Sequence, residues 1–361
     1  MYQTEKYPIV NQSGAGVGFY DGVVRGSRIS EKGYDNEGGH SLSKSRIPGP
    51  HWKKLIMVNV NIIQDGLKQT IQSLPDPLNQ DHFEEFQKGV YGRPDISVYL
   101  NSQRDFAFLF PQTQFDYRHY KPRVEALKLN QYKEQIAILE KRFEKIKSYF
   151  SGKKRVLEVG GGDGAFLKLL QEKNPLLTLA SLEPDLDSRA GRQRIEGLSQ
   201  YASFDGLLGQ NNKFEVVCLF HVLEHIQDPA SFLRSCAQVL APNGLIVAEI
   251  PSLDDPLIKL YDSTAYRDFY FQAQHPYVYS TRSIARLLES NGFILANMIP
   301  HQRYGLENHL TWLSKGKPGG DEFLRAAFAG VDEAYRKSLE TMGGTDSLIF
   351  VIRPSREDVD Q

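Results

Sequence analysis

The sequence predicts an α/β protein organised around an open sheet, and three segments carry that prediction. Arg155-Val156-Leu157-Glu158-Val159-Gly160-Gly161-Gly162-Asp163-Gly164-Ala165 reads as a short apolar strand that ends in a carboxylate and enters a glycine turn. Leu176-Leu177-Thr178-Leu179-Ala180-Ser181-Leu182-Glu183 reads as a second buried strand, again ending in an acid. Phe214-Glu215-Val216-Val217-Cys218-Leu219-Phe220 reads as a third, followed by His221-Val222-Leu223-Glu224-His225-Ile226-Gln227-Asp228-Pro229. Short strands that alternate with helical patterns imply βαβ units.

The first segment continues as an amphipathic helix with Phe166, Leu167, Leu169 and Leu170 as its apolar positions. Glycines at such a turn let the backbone approach a ligand, and the helix N-terminus offers N–H groups to an anion. The segment therefore reads as a cofactor site, and two Rossmann-like readings compete for it. Gly160-x-Gly162-x-x-Ala165 satisfies the dinucleotide fingerprint, in which the glycines admit a pyrophosphate. Glu158 opposes that reading, because a carboxylate two residues before the first glycine repels a dianionic pyrophosphate and suits an ammonium group. Glu183 supports a nucleoside under either reading, since the two oxygens of a carboxylate match the two hydroxyls of a ribose. Its plain alternative is a solvated acid before Pro184.

Glu158-x-Gly160-x-Gly162-x-Gly164 resembles the first motif of class I S-adenosylmethionine-dependent methyltransferases, and the string from His221 to Pro229 resembles the "HVLEH…DP" segment that follows their fourth strand. The resemblance runs from about residue 155 to 354. It implies a Rossmann-like seven-stranded sheet with the last strand antiparallel, S-adenosylmethionine as cofactor, and an enzyme that transfers methyl groups. It assigns Glu158 to the methionine amine, directly or through water. It assigns Gly160, Gly162, Asp163 and Gly164 to the turn around methionine and ribose, and Glu183 to the ribose. Asp205, in Ser203-Phe204-Asp205-Gly206, stands where such enzymes often contact adenine, and His221 joins the cofactor set at the rim of the sheet.

The remaining elements follow in order. Residues 1–50 are rich in Gly, Ser, Asn and charge and read as an irregular segment. Residues 51–150 read as a mixed or helical extension that forms an acceptor-site or lid element. Within it, Leu55–Ile63 reads as a strand or a helix start, Asp81–Val90 as a short helix, Tyr91–Pro94 as a turn and Phe106–Phe110 as an apolar run. Tyr132, Ile136, Leu139, Phe143, Ile146 and Phe150 form one apolar face of a helix that precedes the first sheet strand. Residues 151–361 form the cofactor domain. Asp228 is a good N-cap and Pro229 a good first residue for a helix through Phe232, Leu233, Cys236, Val239 and Leu240. Asn243-Gly244 turns the chain into strand Leu245–Ile250. Insertions at 251–280 and 300–345 surround a helix over Thr281–Ser290 and a sixth strand over Phe293–Ile299, and Ser347–Ile352 is the antiparallel last strand. Long loops on a rigid scaffold usually shape substrate sites.

Composition narrows the function classes. The 361 residues carry a formal net charge of −1, so no global field recruits nucleic acid or anionic lipid. No apolar run approaches membrane-spanning length. Cys218 and Cys236 read as small buried hydrophobes, and the whole fits a cytoplasmic protein. The expected partner is a small-molecule acceptor, with no nucleic acid and no membrane span.

Methyl transfer is an in-line displacement from a sulfonium, so the protein supplies alignment and excludes water. A hydroxyl or carbon-acid acceptor also needs a base, and histidine suits neutral pH. His221, Glu224 and His225 lie at i, i+3 and i+4 and share one face if helical, and His275 reaches the same rim from the insertion. Two arrangements stay open: His225 or His221 as base oriented by Glu224, or His221, Glu224, His225 and His275 as ligands of a divalent metal. The second resembles small-RNA 3′-end methyltransferases and ubiquinone-pathway O-methyltransferases, which carry Glu-x-x-Glu-His here. This chain has His221 in place of the first Glu, and imidazoles shift preference from Mg²⁺ toward softer ions. Structural roles compete with both, with Glu224 capping a turn and His225 a satisfied buried histidine. Arg303, Tyr304, Asn308 and His309 read as acceptor contacts or as rim residues. The 302–320 stretch resembles methyltransferases associated with sugars and polysaccharides, which makes a sugar or nucleotide-sugar the leading acceptor and O-methylation the leading reaction. Metal-assisted methylation of RNA or a polyphenol, and a non-catalytic cofactor-binding module, are the alternatives.

Overall fold

The computed structural model describes residues 62–115, 117, 129–208 and 213–355. The described residues all belong to one compact unit. The expectations for residues 1–50 and 55–61 lie outside the described residues. Ile62 and Ile63 begin a helix over 62–72.

Two sheets organise the chain. The smaller contains β1 (Phe83–Val90), β2 (Arg93–Asn101), β3 (Phe106–Phe110) and, from far along the sequence, β9 (Tyr277–Tyr279), in the order β1-β2-β3-β9 and antiparallel throughout. The larger contains β4 (Arg155–Val159), β5 (Thr178–Leu182), β6 (Ser199–Tyr201), β7 (Phe214–Phe220), β8 (Leu240–Pro251), β10 (Phe293–His301) and β11 (Ser347–Pro354). Its order is β10-β11-β8-β7-β4-β5-β6, with β6, β5, β4, β7 and β8 parallel and β11 antiparallel to both its neighbours. This is the seven-stranded arrangement with an antiparallel last strand that the sequence predicts.

One expectation is overturned in the extension. Asp81–Val90 is not a helix, because Phe83 onward pairs with β2 as a strand. The apolar residues Phe83, Phe86 and Val90 recur at helical spacing since two bulges, at Glu85/Gln87 and Lys88/Val90, interrupt the alternation of a regular strand. A turn at Tyr91-Gly92, with Gly92 at φ 68°, closes the hairpin on Arg93. Residues 83–110 thus form a β-meander within the extension that the sequence predicts as mixed or helical. Smaller differences concern ends. β5 begins at Thr178, leaving Leu176 almost fully exposed, and the Leu129–Ile146 helix finishes in a 3₁₀ turn over Lys147–Phe150. The 251–280 insertion holds short helices Pro256–Lys259 and Thr264–Tyr270 ahead of β9, and the 300–345 insertion holds helices Leu306–Lys315 and Glu322–Met342.

The alternation of β4 fixes what faces where. Leu157 and Val159 join a core with Val217, Leu219, Ile246 and Ile250. That core takes in helices Pro229–Gln238 and Thr281–Ser290 and the aromatic residues Phe106, Phe108, Tyr277 and Tyr279 of the smaller sheet. Val156 faces the other way, with Cys218, Phe220 and Val247, and is covered by Phe143, Ile146 and Phe150 of the preceding helix. Both cysteines are buried and free. No helix among the described residues is long and apolar enough to cross a membrane.

Candidate functional site

The ends of β4, β5, β7 and β8 converge on one rim, where open α/β sheets bind ligands. At β4 the chain turns through Gly160, Gly162 and Gly164 at φ 74°, 53° and 86°, conformations closed to most side chains. Helix Ala165–Lys173 then starts at Gly164 without an N-cap side-chain bond, and its first N–H, that of Ala165, is held by Asp163. A Cβ on Gly161 would stand 2.8 Å from Glu158 Oε2 and 3.2 Å from Ser181 Oγ.

Glu158 is only 4% exposed, and its Oε2 has no hydrogen-bond partner; the same is true of Ser181 Oγ beside it. Burial pushes the Glu158 carboxyl up to about 8, against an opposing pull from Arg142. An unpartnered buried carboxylate is the signature of a group that awaits a cation, which fits an ammonium better than a phosphate. Glu183 accepts from Gly162 N at 2.8 Å and Asp185 N at 2.9 Å, so each oxygen holds one backbone N–H and keeps a second lone pair. Asp163 accepts from Ala165 N at 3.1 Å, and Asp205 lies exposed in the first turn of the short helix Asp205–Leu208.

The string after β7 does not form the regular helix that would put His221, Glu224 and His225 on one face. His221 sits at φ +58°, and only Leu223–His225 is 3₁₀ before Asp228 caps helix Pro229–Gln238 through Ser231 N. The sharp exit splits the residues into two groups. His221 Nδ1 lies 3.1 Å from Glu224 Oε1, while its Nε2 lies 3.0 Å from Arg303 Nη1 and 3.5 Å from Glu249 Oε1. Burial disfavours its charged form, but the hydrogen bonds with Glu224 and Glu249 outweigh this and raise its pKa, with Arg303 in opposition. His225 turns the other way. Its Nδ1 lies 3.1 Å from the Gln274 carbonyl and 3.1 Å from Tyr117 Oη, and its ring meets His275 edge-on at 4.6 Å.

A carbonyl only accepts, so a hydrogen bond between His225 Nδ1 and the Gln274 carbonyl needs the proton on Nδ1, whereas Tyr117 Oη could donate to the same nitrogen. Glu224 is buried, and its Oε2 has no hydrogen-bond partner. Burial alone would raise its pKa, but the His221 hydrogen bond prevails and lowers it. Ligand atoms of Glu224, His225 and His275 lie within 4.8 Å of one another. His221 stands outside this group, its Nδ1 beside Glu224 Oε1 and its Nε2 beside Arg303, so three of the four residues expected as alternative metal ligands are gathered here.

Beneath the rim lies a network that sequence reasoning missed. Glu249, at 0% exposure, pairs with Arg142 and accepts from Ser347 Oγ at 2.6 Å, with His301 Nδ1 at 3.1 Å. Burial would raise its pKa, but Arg142 and the two histidines hold it well below the carboxylate range. Arg303 pairs with Asp346 at 2.9 Å and also reaches His221, while His309 is buried between Gln302 and Tyr335 and so fits neither the acceptor-contact nor the rim reading. The hidden signal was Glu249 itself, an acid inside an otherwise apolar strand.

A cavity of about 270 Å³ opens beside His225, lined by Thr113, Gln114, Phe115, Tyr117, Gln227 and Gln274 among others. A second, of about 310 Å³, lies between helices Leu306–Lys315 and Glu322–Met342 and shares no residue with the first.

A family model described as "Methyltransferase domain" matches residues 130–296. Ubiquinone biosynthesis O-methyltransferase of Caulobacter sp. (strain K31) is 32% identical over 98 residues, 26% of this chain and 39% of that protein. The protein of the same name from Xylella fastidiosa (strain 9a5c) is 33% identical over 95 residues, 25% of this chain and 39% of that protein. The chain thus spans about two fifths of the length of these relatives. A SAM dependent methyltransferase from Archaeoglobus fulgidus aligns over 61% of this chain and 93% of its own at 20% identity and a TM-score of 0.42. Residues 130–296 match a methyltransferase domain, and the sheet order and the glycine turn flanked by two acids are those expected of the class I S-adenosylmethionine-dependent methyltransferases.

Proposed function

We propose that this protein methylates a hydroxyl of a small polar acceptor, a sugar or nucleotide-sugar of polysaccharide biosynthesis, in the cytoplasm, with His225 as general base. The observation that supports this reading is the 3.1 Å contact of His225 Nδ1 with the Gln274 carbonyl. With Nδ1–H donated to that carbonyl, Nε2 would be the nitrogen that takes the proton. The adjoining cavity combines amide and hydroxyl groups with the rings of Phe115 and Tyr117, a lining suited to one hydroxylated ring. Residues 62–115 and 117 thereby contribute part of the acceptor pocket. Bound S-adenosylmethionine would supply the activated methyl group. Glu158 would hold its ammonium, Glu183 its ribose diol, and Gly160, Gly162, Asp163 and Gly164 would shape the turn around it. Asp205 would contact the adenine, and His221 would border the sulfonium. Glu224 and His275 would orient His225.

A second reading is favoured by one observation, the gathering of Glu224, His225 and His275 with an unpartnered carboxylate oxygen. These three fit a divalent metal softer than Mg²⁺, which would act as a Lewis acid on the acceptor oxygen. A polyphenol acceptor would accord with the relatives' names.

One titration separates the readings. Metal-stripped protein is titrated with S-adenosylhomocysteine, and turnover on nucleotide-sugars is followed with and without Mn²⁺ or Zn²⁺. The base reading expects binding and turnover without metal, and a loss of about 10²–10⁴ in kcat in His225→Gln with cofactor affinity unchanged. Turnover only with metal transfers His225 to the ligand role. Absence of cofactor binding sinks both readings.

A further inference from the structure

The glycine turn is held from one side by the segment that follows β5. Gly162 is clamped at both ends of its polar backbone: its N–H donates to Glu183 Oε2 at 2.8 Å, and its carbonyl accepts from Arg192 Nη1. Arg192 also donates to Ser188 Oγ at 2.7 Å and to the Asp185 carbonyl at 3.1 Å. It is only 4% exposed, so its guanidinium is committed to this joint rather than to solvent. Asp185 organises the near end, accepting from Asp187 N and Ser188 N at 3.1 Å each.

The packing is too close for side chains at two further glycines. A Cβ on Gly191 would stand 2.5 Å from the Asp163 carbonyl oxygen, and one on Gly164 would stand 2.7 Å from Ile195 Cδ1 and 3.2 Å from Arg192 Cγ. Gly164 therefore serves a contact between two pieces of protein, quite apart from any approach of a ligand.

We infer that Arg192 is a positioning residue for the cofactor: it clamps the glycine turn through the Gly162 peptide and so holds Glu183 in the orientation that receives the ribose diol. This rests on the cofactor reading above. Arg192 makes no contact with the reacting atoms. Its effect passes through Gly162 and Glu183, and an arginine suits the task because its planar fork reaches three acceptors at once.

The test is a double-mutant cycle read by calorimetric binding of S-adenosylhomocysteine to full-length wild type, Arg192→Met, Glu183→Gln and the double variant. Arg192→Met is expected to weaken binding about tenfold or more. In the Glu183→Gln background the same change is expected to cost much less, because the group it positions is already compromised. Arg192→Lys, which keeps the charge and loses the fork, is expected to recover only part of the affinity. A role confined to folding would lower the melting temperature and give additive losses in the cycle. Additive losses, or no loss in Arg192→Met, overturn the clamp. The wild-type arm reads the underlying assumption separately, since absence of binding there overturns the cofactor reading and the clamp with it.

Discussion

Glu158 is a residue at which folding and binding pull in opposite directions. Strand register sets it between Ser181 on β5 and Cys218 on β7, in a position that offers its Oε2 no partner. Burial lifts its carboxyl from the ordinary 4.5 to about 8. Between those values the folded protein holds a proton that the unfolded chain releases, so its contribution to stability falls as pH rises through that window. Glu158→Gln keeps the shape and removes the titration. Its cofactor-free melting temperature at pH 7.5 is expected to rise by a few degrees, roughly, while S-adenosylhomocysteine affinity drops about tenfold or more. Wild-type binding near pH 7 is expected to release a proton, visible as a dependence of the calorimetric heat on buffer ionisation. Unchanged affinity in the variant, or no proton release, would show that the carboxylate does not meet the ammonium.

At the scale of elements, helices Leu306–Lys315 and Glu322–Met342 are joined through His309, whose Nδ1 lies 2.7 Å from Tyr335 Oη and whose Nε2 lies 3.3 Å from Gln302 Nε2. An amide N–H only donates, so this contact requires a neutral imidazole. Burial depresses the His309 pKa to about 4. Its contribution is therefore complete above about 6.5 and is lost as pH falls through 4. Amide protection in Glu322–Met342, taken relative to the intrinsic exchange rate at each pH, is expected to fall on acidification across that window, and His309→Gln to flatten the dependence. A variant as acid-sensitive as the wild type would place the titrating group elsewhere. This element was the least legible in the sequence. Strands β4, β5, β7 and β8 could be read because each is a short apolar run that ends in a turn or a polar string with a physical signature. Glu158, Glu183 and the glycines could be read because cofactor chemistry restricts their spacing. His309 and Arg303 looked like rim residues because pairing partners such as Gln302, Tyr335 and Asp346 are not adjacent in a recognisable pattern. β1 looked helical because its bulges imitate a helical period.

For the molecule as a whole, the consequential feature is where β9 comes from. The residues between β8 and helix Thr281–Ser290 cross to the smaller sheet, where β9 pairs with β3 through Phe106↔Tyr279 and Phe108↔Tyr277. A single bridge, Ser252↔Tyr279, ties it back toward the end of β8. Gln274 and His275 immediately precede this strand, so the groups beside His225 hang on a pairing with residues more than 150 positions earlier. Phe106 sits at that joint, fully buried, with its ring 5.4 Å from Tyr279, 5.9 Å from Tyr277 and 6.1 Å from Phe83. The glycine turn and both cofactor acids depend instead on β4 and β5. Phe106→Ala should therefore separate two properties that a uniformly destabilised protein would lose together. The cavity is expected to cost about 3–5 kcal/mol. Well below the melting temperature, S-adenosylhomocysteine affinity should stay near the wild-type value while kcat on the acceptor falls, because β9 no longer holds Gln274 against His225. Parallel loss of both would mean that the smaller sheet supports the whole fold rather than the acceptor side. Full activity would mean that the His225 tautomer does not depend on β9, and Tyr117 would then be the group that secures it.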